Sequence, residues 1–203
     1  MIFSEFRPWF NQRFSLLLDE KIALFSSHSH SADVSDIASY IKTLGGDGKR
    51  FRPFLVSVGA GEVDHDKHFL LYAAVELLHL FALIHDDIMD NADTRHGVLC
   101  AHTKFIPSYG SHTAAAIAIL LGDVVFSWAY DCLMEYTKNN PLQKDRLHEE
   151  FSKLIGEVTH GQILDVISPQ QPPLSEVVII EKMTLKTARY TFVQPLKLGF
   201  IVK

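Results

Sequence analysis

The sequence predicts an all-α protein, and three observations carry this prediction. Apolar residues recur with helical spacing along most of the chain, whereas alternating strand patterns are hard to find. Residues 66–91 are apolar around most of a helix surface, which predicts a central, buried helix. Glycine or proline interrupts the pattern at Gly45–Gly46, Pro141 and Pro169, as expected at helix ends.

The periodicity and its stop signals predict a bundle of about seven helices. They cover approximately residues 9–25, 33–42, 53–59, 66–91, 111–136, 144–167 and 175 onward. Asp33 or Ser35 is expected to cap the second helix, and Pro53 to lie in the first turn of the third. Pro195 is expected to kink the last helix. No repeat or linker divides the chain, so we expect one all-helical domain over residues 1–203.

Composition and charge exclude several classes of protein. The net charge is -5 and the basic residues are scattered, which argues against a nucleic-acid partner. Cys100 and Cys132 form no CxxC pair, so a reducing compartment is expected. Residues 1–14 lack the pattern of a signal peptide, and Gly122 and Asp123 interrupt the longest apolar stretch. These features predict a cytoplasmic protein without a membrane span.

An aspartate cluster gives the sharpest chemical signal. Asp86, Asp87 and Asp90 follow two almost wholly apolar turns of the fourth predicted helix. Residues four apart share a helix face, so Asp86 and Asp90 are expected to project together. Two carboxylates on the same helix face repel each other unless a cation lies between them. Their oxygen atoms are hard ligands of the kind that Mg²⁺ prefers. The alternative is a solvated acidic helix end, which the apolar turns before it disfavour.

A basic loop is the second signal. The segment GDGKRFRP, residues 46–53, places glycines beside Lys49, Arg50 and Arg52 just ahead of a helix. Such loops surround an anion with backbone N–H groups and cations, and arginine binds phosphate oxygens as a fork. A basic loop alone is more often only solvated, so its weight comes from the aspartates in the same chain.

Five motifs occur in order along the chain: GDGKRFRP, HDDIMDNADTRHG, LLGDVVF, THGQILD and KTARYTF. Together they resemble the trans-isoprenyl diphosphate synthases, which make farnesyl, geranylgeranyl and longer polyprenyl diphosphates. The resemblance covers residues 40–199 and implies an isoprenoid synthase-like helix bundle. It implies a prenyltransferase that condenses isopentenyl diphosphate with an allylic diphosphate, uses Mg²⁺ or Mn²⁺, and forms a homodimer.

The resemblance assigns roles position by position. The metal would be held by Asp86, Asp87 and Asp90, with support from Asp165. The allylic diphosphate would contact Arg95, Lys186 and Gln162, and Thr187 would lie near the carbocation. The substrate-binding residues on the isopentenyl diphosphate side would be Lys49, Arg50, Arg52, His79 and His96. The catalytic residues would be Asp86, Asp90, Lys186 and Thr187.

The implied mechanism starts with ionisation of the allylic C–O bond, as metal and cations draw charge onto the leaving diphosphate. The double bond of isopentenyl diphosphate attacks the carbocation, and a proton is lost to the released diphosphate. Phe81 and Ala82 lie five and four positions before Asp86, where the family lines its chain-length pocket. In the family, an aromatic residue with a small neighbour, as in Phe81 and Ala82, favours a C20 product over a C15 product. The alternative interpretation is that Phe81 is only a core residue.

The chain departs from the family pattern in two ways. His96 stands where relatives usually carry arginine, so weaker binding of isopentenyl diphosphate is expected. The sequence reaches Lys203 without a second DDxxD motif. We therefore expect a chain truncated before the C-terminal helices, with little synthase activity from residues 1–203 alone.

Three other readings remain open from the sequence. The first is a non-catalytic regulatory subunit that pairs with a complete synthase. The presence of Lys49, Asp86 and Lys186 argues against it, because a regulatory subunit does not need them. The second is a class I terpene cyclase, which needs only one diphosphate site. The aspartates would supply that site, so the basic loop would have no function. A di-iron bundle needs Glu-x-x-His pairs, of which Glu76–His79 is one without a matching second.

Overall fold

The computed structural model describes residues 1–46, 48–61, 64–170 and 175–203. The α-helices are α1 (Phe3–Ser27), α2 (Ala32–Leu44), α3 (Phe51–Ala60), α4 (His65–Met89), α5 (Ala101–Lys104), α6 (Ile106–Asn139), α7 (Lys144–Ile167), α8 (Glu176–Met183) and α9 (Gln194–Ile201). Strands β1 (Thr94–Arg95) and β2 (Val98–Leu99) pair antiparallel. The all-α prediction is confirmed, and each predicted segment is helical.

Most predicted stop signals end a helix. Gly45 follows the last residue of α2, and α7 has the predicted bounds with Pro169 just beyond it. Pro172 and Pro173, which follow Pro169 in the sequence, lie outside the described residues. The predicted cap of α2 is wrong, because Ser31 occupies the N-cap and Asp33 lies in the first turn. A carboxylate there still favours the helix by its charge.

The last predicted helix changes type along its length. A π-helical segment, Thr184–Val193, joins α8 to α9, and Pro195 lies at the start of α9. Backbone angles at Val193 and Gln194 remain helical, so the chain continues through the junction. Pro195 lies at the start of α9, where a missing N–H is tolerated, and the kink expected there stays a prediction.

The described residues cluster into two compact units. The first unit comprises Met1–Arg50 and Ala73–Cys132, and the second comprises Phe51–Tyr72 and Leu133–Lys203. In the first unit α1 packs against α2, and α1 buries a ladder of stacked rings with centroids 5.6 and 5.3 Å apart. The rings belong to Phe6, Phe10 and Phe14. The prediction of a single domain stays a prediction.

In the second unit α3 and α9 cross in direct backbone contact. A Cβ atom at Gly59 would lie 2.2 Å from the carbonyl oxygen of Leu196, and one at Gly199 would lie 2.0 Å from that of Val56. Only glycine permits this approach on both helices. The π segment and α9 also pack against α7, so this crossing helps to place the π segment.

Two helices are both long and strongly apolar. His65–Met89 and Ser111–Asn139 each contain an 18-residue window with a mean hydropathy of 1.6, long and apolar enough to cross a membrane by length and composition. One or two helices of this kind are weak evidence for a membrane span, because buried core helices have the same length and composition. In His65–Met89, 61% of the window is buried, so core packing accounts for much of its apolar character.

Candidate functional site

The aspartate cluster lies where α4 ends. Asn91 has a φ of 50°, and its N–H donates to the carbonyl of Ile88 at 3.2 Å. The N–H of Ala92 donates to the carbonyl of Asp87 at 2.9 Å. This pair of bonds around a left-handed residue is a Schellman motif, which closes a helix and reverses the chain. The N–H of Asp90 still bonds to the carbonyl of Asp86 at 2.8 Å, so helical geometry persists through the cluster.

A short hairpin follows the helix. His96 and Gly97 connect β1 to β2 with φ values of 52° and 81°, as in a two-residue type I′ turn. In its register Arg95 faces Val98. Strands of two residues carry no periodic signal, so sequence reasoning missed this hairpin. It returns the chain so that Arg95 reaches the last turn of α4.

Arg95 binds two of the three aspartates. Its Nη2 atom lies 2.6 Å from Asp87 Oδ1 and 3.2 Å from Asp86 Oδ2, and its Nε donates to Asp87 at 2.7 Å. Burial alone would lower the pKa of Arg95, but the hydrogen bond and the charges of both aspartates raise it. The cation required between close carboxylates is therefore Arg95 in this structure.

The three aspartates have different surroundings. Asp87 is 4% exposed, Asp86 is half-buried, and Asp90 is exposed in the turn after α4. Burial, followed by a hydrogen bond with Asp87, raises the pKa of the Cys100 thiol to about 12. Cys100 is thus a neutral neighbour that packs behind the aspartates. Asp86 and Asp90 are the members that face solvent.

The donor set fits Mg²⁺ in one particular binding mode. Among the residues that the structure describes, no three Asp, Glu, His or Cys side chains form a ready cage. Mg²⁺ is usually held by one or two carboxylates and completes its octahedron with water and phosphate oxygens. Asp86 and Asp87, which already share one cation, supply hard oxygen donors of this kind.

Arg50 does not occupy a position suited to the predicted substrate contact. Its guanidinium is 5% exposed and donates to Glu76 Oε1 and Asn11 Oδ1, each at 2.6 Å. It also donates to the carbonyls of Gly45 and Gly46. Because most of its donors serve the protein, Arg50 is a buried anchor of the basic loop. The pairing also occupies Glu76, the glutamate that a di-iron site would need.

The other basic-loop residues differ from Arg50. Lys49 is exposed in the first unit, and Asp47 lies outside the described residues. In the second unit Arg52 stacks 4.5 Å above the ring of Tyr190 and donates to Thr191 Oγ1 at 2.9 Å. Its Nε is buried and has no hydrogen-bond partner among the described residues. An orphaned arginine donor of this kind suits an anionic ligand.

The predicted pocket residues on α4 make well-defined contacts. The ring centroid of Phe81 lies 4.6 Å from that of His85 and 5.0 Å from that of Phe126. A Cβ atom at Gly122 would lie 2.2 Å from His85 Nε2, so glycine in LLGDVVF allows this ring to pack closely. Phe81 is therefore held in an aromatic cluster. Ala82, like His79, is half-buried on the same helix.

One face of α7 holds the π segment in the second unit. Glu157, Gly161 and Asp165 are spaced by four residues and share this face. Glu157 accepts hydrogen bonds from Arg189 at 2.5 Å and Gln194 at 2.8 Å. A Cβ atom at Gly161 would lie 2.7 Å from the backbone nitrogen of Lys186, which explains the glycine of THGQILD.

Asp165 is bracketed by two lysines. Lys182 Nζ lies 2.9 Å from its Oδ1, and Lys186 Nζ lies 2.5 Å from its Oδ2. The hydrogen bond with Lys186 is the main cause that lowers the pKa of Asp165. One ammonium thus contacts each oxygen of this carboxylate, and the supporting metal role of Asp165 stays a prediction. Sequence reasoning found Asp165 and Lys186 but missed Lys182.

An apolar cavity lies next to these lysines on the same helical path. It has a volume of about 350 Å³ and is lined by Ile180, Met183, Thr184, Thr187, Ala188 and Phe192. Thr187, predicted to lie near the carbocation, is one of its two polar lining residues. Gln162 is half-buried on α7. The second unit thus combines an apolar cavity with neighbouring cations.

Comparison with known proteins finds prenyl diphosphate synthases. A geranylgeranyl diphosphate synthase of Methanosarcina mazei is 35% identical over 143 residues, which cover 70% of this chain and 41% of that protein. A farnesyl diphosphate synthase of Haemophilus influenzae is 36% identical over 180 residues, covering 85% and 57% respectively. The chain thus spans about half the length of these curated relatives.

Solved structures share the fold. A geranylgeranyl pyrophosphate synthase from Corynebacterium glutamicum, complexed with isoprenyl diphosphate and magnesium, superposes with a TM-score of 0.89 at 24% identity, over 100% of this chain and 60% of that one. The corresponding enzyme of the archaeon Geoglobus acetivorans gives 0.75 at 25% identity, over 100% and 60%. Residues 32–203 match the polyprenyl synthetase family, and the chain therefore belongs to that family.

Proposed function

We propose that this chain carries the substrate sites of a prenyltransferase that joins isopentenyl diphosphate to an allylic diphosphate. The observation that carries the proposal is the aspartate pair at the end of α4, with Arg95 bound between its carboxylates. Two neighbouring carboxylates that bind one cation, Arg95, can also bind the metal ion of a metal diphosphate, because both contacts are between opposite charges. The match to the polyprenyl synthetase family supports the same class of substrate.

The aspartates would hold the metal. Asp86 and Asp87, with Asp90 one turn further, would bind Mg²⁺, or Mn²⁺ in its place. When bound, the metal supplies positive charge that favours departure of the allylic diphosphate. Arg95 would then exchange part of its contact with the aspartates for the phosphate oxygens. Its planar fork suits both partners.

Residues of the second unit would bind phosphate and shelter the hydrocarbon. Arg52 offers its buried Nε, which has no hydrogen-bond partner within the described part of the chain, and Lys186 offers an ammonium group. Thr187 lines the apolar cavity. Ile180, Met183 and Phe192 on its walls are exposed, so water would have to be excluded from its open side to protect the carbocation left when the allylic C–O bond breaks. The double bond of isopentenyl diphosphate then attacks, and a proton passes to the released diphosphate. We assign His96, Lys49 and His79 to isopentenyl diphosphate binding.

Phe81 bears on the product length that we propose. Its ring is fixed against His85 and Phe126, so it can act as a rigid wall. Ala82, next to it, leaves space that a second aromatic would fill. This combination favours C20 over C15.

The metal-binding assignment is tested by Asp86→Asn in the full 203-residue chain. We expect Mg²⁺-dependent binding of farnesyl diphosphate, measured by isothermal titration calorimetry, to weaken by about tenfold or more, because one charged oxygen ligand is lost. Asp90→Asn is expected to act in the same direction.

The matched control is Asp36→Asn, which removes the same charge from an exposed position in α2 of the same unit. It should leave the affinity unchanged. Equal affinity for the wild type and the Asp86→Asn variant, each with the same thermal midpoint, would refute the assignment.

We also propose a homodimer that uses the long helix α6. Ile119 and Leu120 are 45% and 62% exposed on this helix, although both are large and apolar. We expect Leu120→Glu to convert a dimer to a monomer in size-exclusion chromatography with light scattering, because a charge would be buried without a partner. Leu142→Glu, at a residue that is 92% exposed, should leave the mass unchanged. A monomeric wild type would sink the proposal.

A further inference from the structure

The lysine pair on Asp165 goes beyond the residues that the motifs single out. Lys182 lies four positions before Lys186, at the end of α8 where the π segment begins. The two ammonium groups contact different oxygens of one carboxylate, at 2.9 and 2.5 Å. One carboxylate cannot neutralise two lysines, so this cluster keeps a net positive charge.

We propose that Lys182 is a second diphosphate-binding lysine, and that Asp165 orients Lys182 and Lys186 together. The proposal deepens the proposed function and rests on it, since it names a further contact to the same class of substrate. It also replaces the metal-supporting role predicted for Asp165 with a positioning role.

Lys182 retains the capacity to bind a ligand. An ammonium group has three N–H donors, and the contact with Asp165 uses one of those of Lys182. The side chains of Lys182 and Asp165 are 25% and 31% exposed, so the charged end is open to an incoming anion. A diphosphate carries several strong acceptor oxygens and can take up donors from both lysines at once.

Asp165 lowers the cost of binding. A free lysine side chain loses conformational entropy when a ligand immobilises it, which weakens binding. Here the carboxylate already restricts both side chains, and Gly161 brings the backbone of Lys186 against α7. The second unit therefore presents two lysines in a fixed arrangement before the ligand arrives.

A metal role for Asp165 meets an electrostatic obstacle. At Asp165 two lysines share one carboxylate, so Mg²⁺ would lie beside an excess of positive charge, whereas at Asp86 and Asp87 two carboxylates share one arginine. An anion, in contrast, is attracted by the excess positive charge of Lys182 and Lys186. The neighbouring apolar cavity, lined in part by Met183 and Thr187, suits a ligand with a hydrocarbon chain behind its anionic head.

The test compares three lysine variants of the full chain by calorimetric titration with farnesyl diphosphate. Lys182→Met should weaken binding by about tenfold, as expected for a lost charged hydrogen bond, and Lys182→Arg should restore most of it. Lys153→Met is the matched control, because Lys153 also pairs with two carboxylates on α7 of the same unit. It should leave the affinity unchanged. Equal affinities for Lys182→Met and Lys153→Met would overturn the proposal.

The role of Asp165 is tested by Asp165→Asn. A positioning role predicts that the Mg²⁺ concentration for half-maximal binding of farnesyl diphosphate stays the same. A metal-supporting role predicts an increase of about tenfold or more, which would overturn the reassignment. Thermal unfolding of each variant separates these results from loss of fold.

The two levels of the proposal fail separately. If Asp86→Asn removes Mg²⁺-dependent binding while Lys182→Met does not weaken it, only the role of Lys182 is wrong. If Asp86→Asn also binds like the wild type, the proposed function itself is wrong.

Discussion

Replacing Arg50 by methionine is expected to destabilise the protein by about 3–5 kcal/mol, because it leaves a buried carboxylate without its partner. Arg50 and Glu76 are each 5% exposed, and Arg50 Nη1 lies 2.6 Å from Glu76 Oε1. The same change removes the donors that serve Asn11 and the carbonyls of Gly45 and Gly46. Equilibrium unfolding in urea measures the loss.

The double variant Arg50→Met/Glu76→Leu identifies the cause. Replacing both members of a buried ion pair by apolar residues is often close to neutral, so it should recover about 2 kcal/mol of the loss. Recovery should be incomplete, because the acceptors on Asn11 and Gly45 stay without Arg50. Lys42→Met is the control, since its pair with Asp19 is about half exposed and should contribute less than about 1 kcal/mol.

The result also decides the role of Arg50 in the basic loop. A phosphate-binding arginine would leave stability nearly unchanged and weaken ligand binding. The buried position of Arg50 in the structure predicts the opposite result, in which the main effect is a loss of stability. A loss below about 1 kcal/mol on Arg50→Met would contradict the structural role.

The helices were predictable because their signals are local. Apolar spacing and flanking proline give the bounds of α7, and the Gly45–Gly46 pair gives the end of α2. The same local pattern predicts that Asp86 and Asp90 lie one turn apart, which the backbone hydrogen bond between them bears out. The cap of α2 was misplaced because Ser31, Asp33 and Ser35 all carry capping side chains.

The electrostatic partners were not predictable, because they depend on distant residues. Glu76 meets Arg50 across 26 positions, and Asp165 meets Lys182 across 17. A sequence pattern marks each charge but does not say which charges meet. The contact of Arg95 with Asp87 spans only 8 positions, yet it depends on a hairpin too short to leave a pattern.

The π segment was missed for a different reason. Its composition is that of an ordinary helix, and the motif KTARYTF gives no sign of the wider turn. Contacts with α7 position it, through Gly161 and the salt bridge of Arg189 with Glu157. π turns are often found at functional sites, so its coincidence with Lys186 and Thr187 agrees with the proposed role.

The largest effect in the second unit is expected from Gly199→Ala. The added Cβ would lie 2.0 Å from the carbonyl oxygen of Val56, 2.8 Å from the nitrogen of Ala60 and 2.9 Å from the Cα of Gly59. All three are backbone atoms, which cannot rotate aside, so α3 and α9 must separate. Overpacking costs about 1–3 kcal/mol, and we expect a loss at the upper end of this range.

Gly156→Ala provides the matched control, because it makes the same substitution on helix α7 of the same unit. No heavy atom of the described residues outside its own helix backbone lies within 4 Å of its added Cβ, so the helix propensity is the main change. We expect a gain of about 0.5–1 kcal/mol, opposite in sign to the effect at Gly199. Urea unfolding of the two variants side by side measures both. If Gly199→Ala were as stable as Gly156→Ala, the close crossing of α3 and α9 could not be present, and the placement of the π segment against α7 would lose one of its supports.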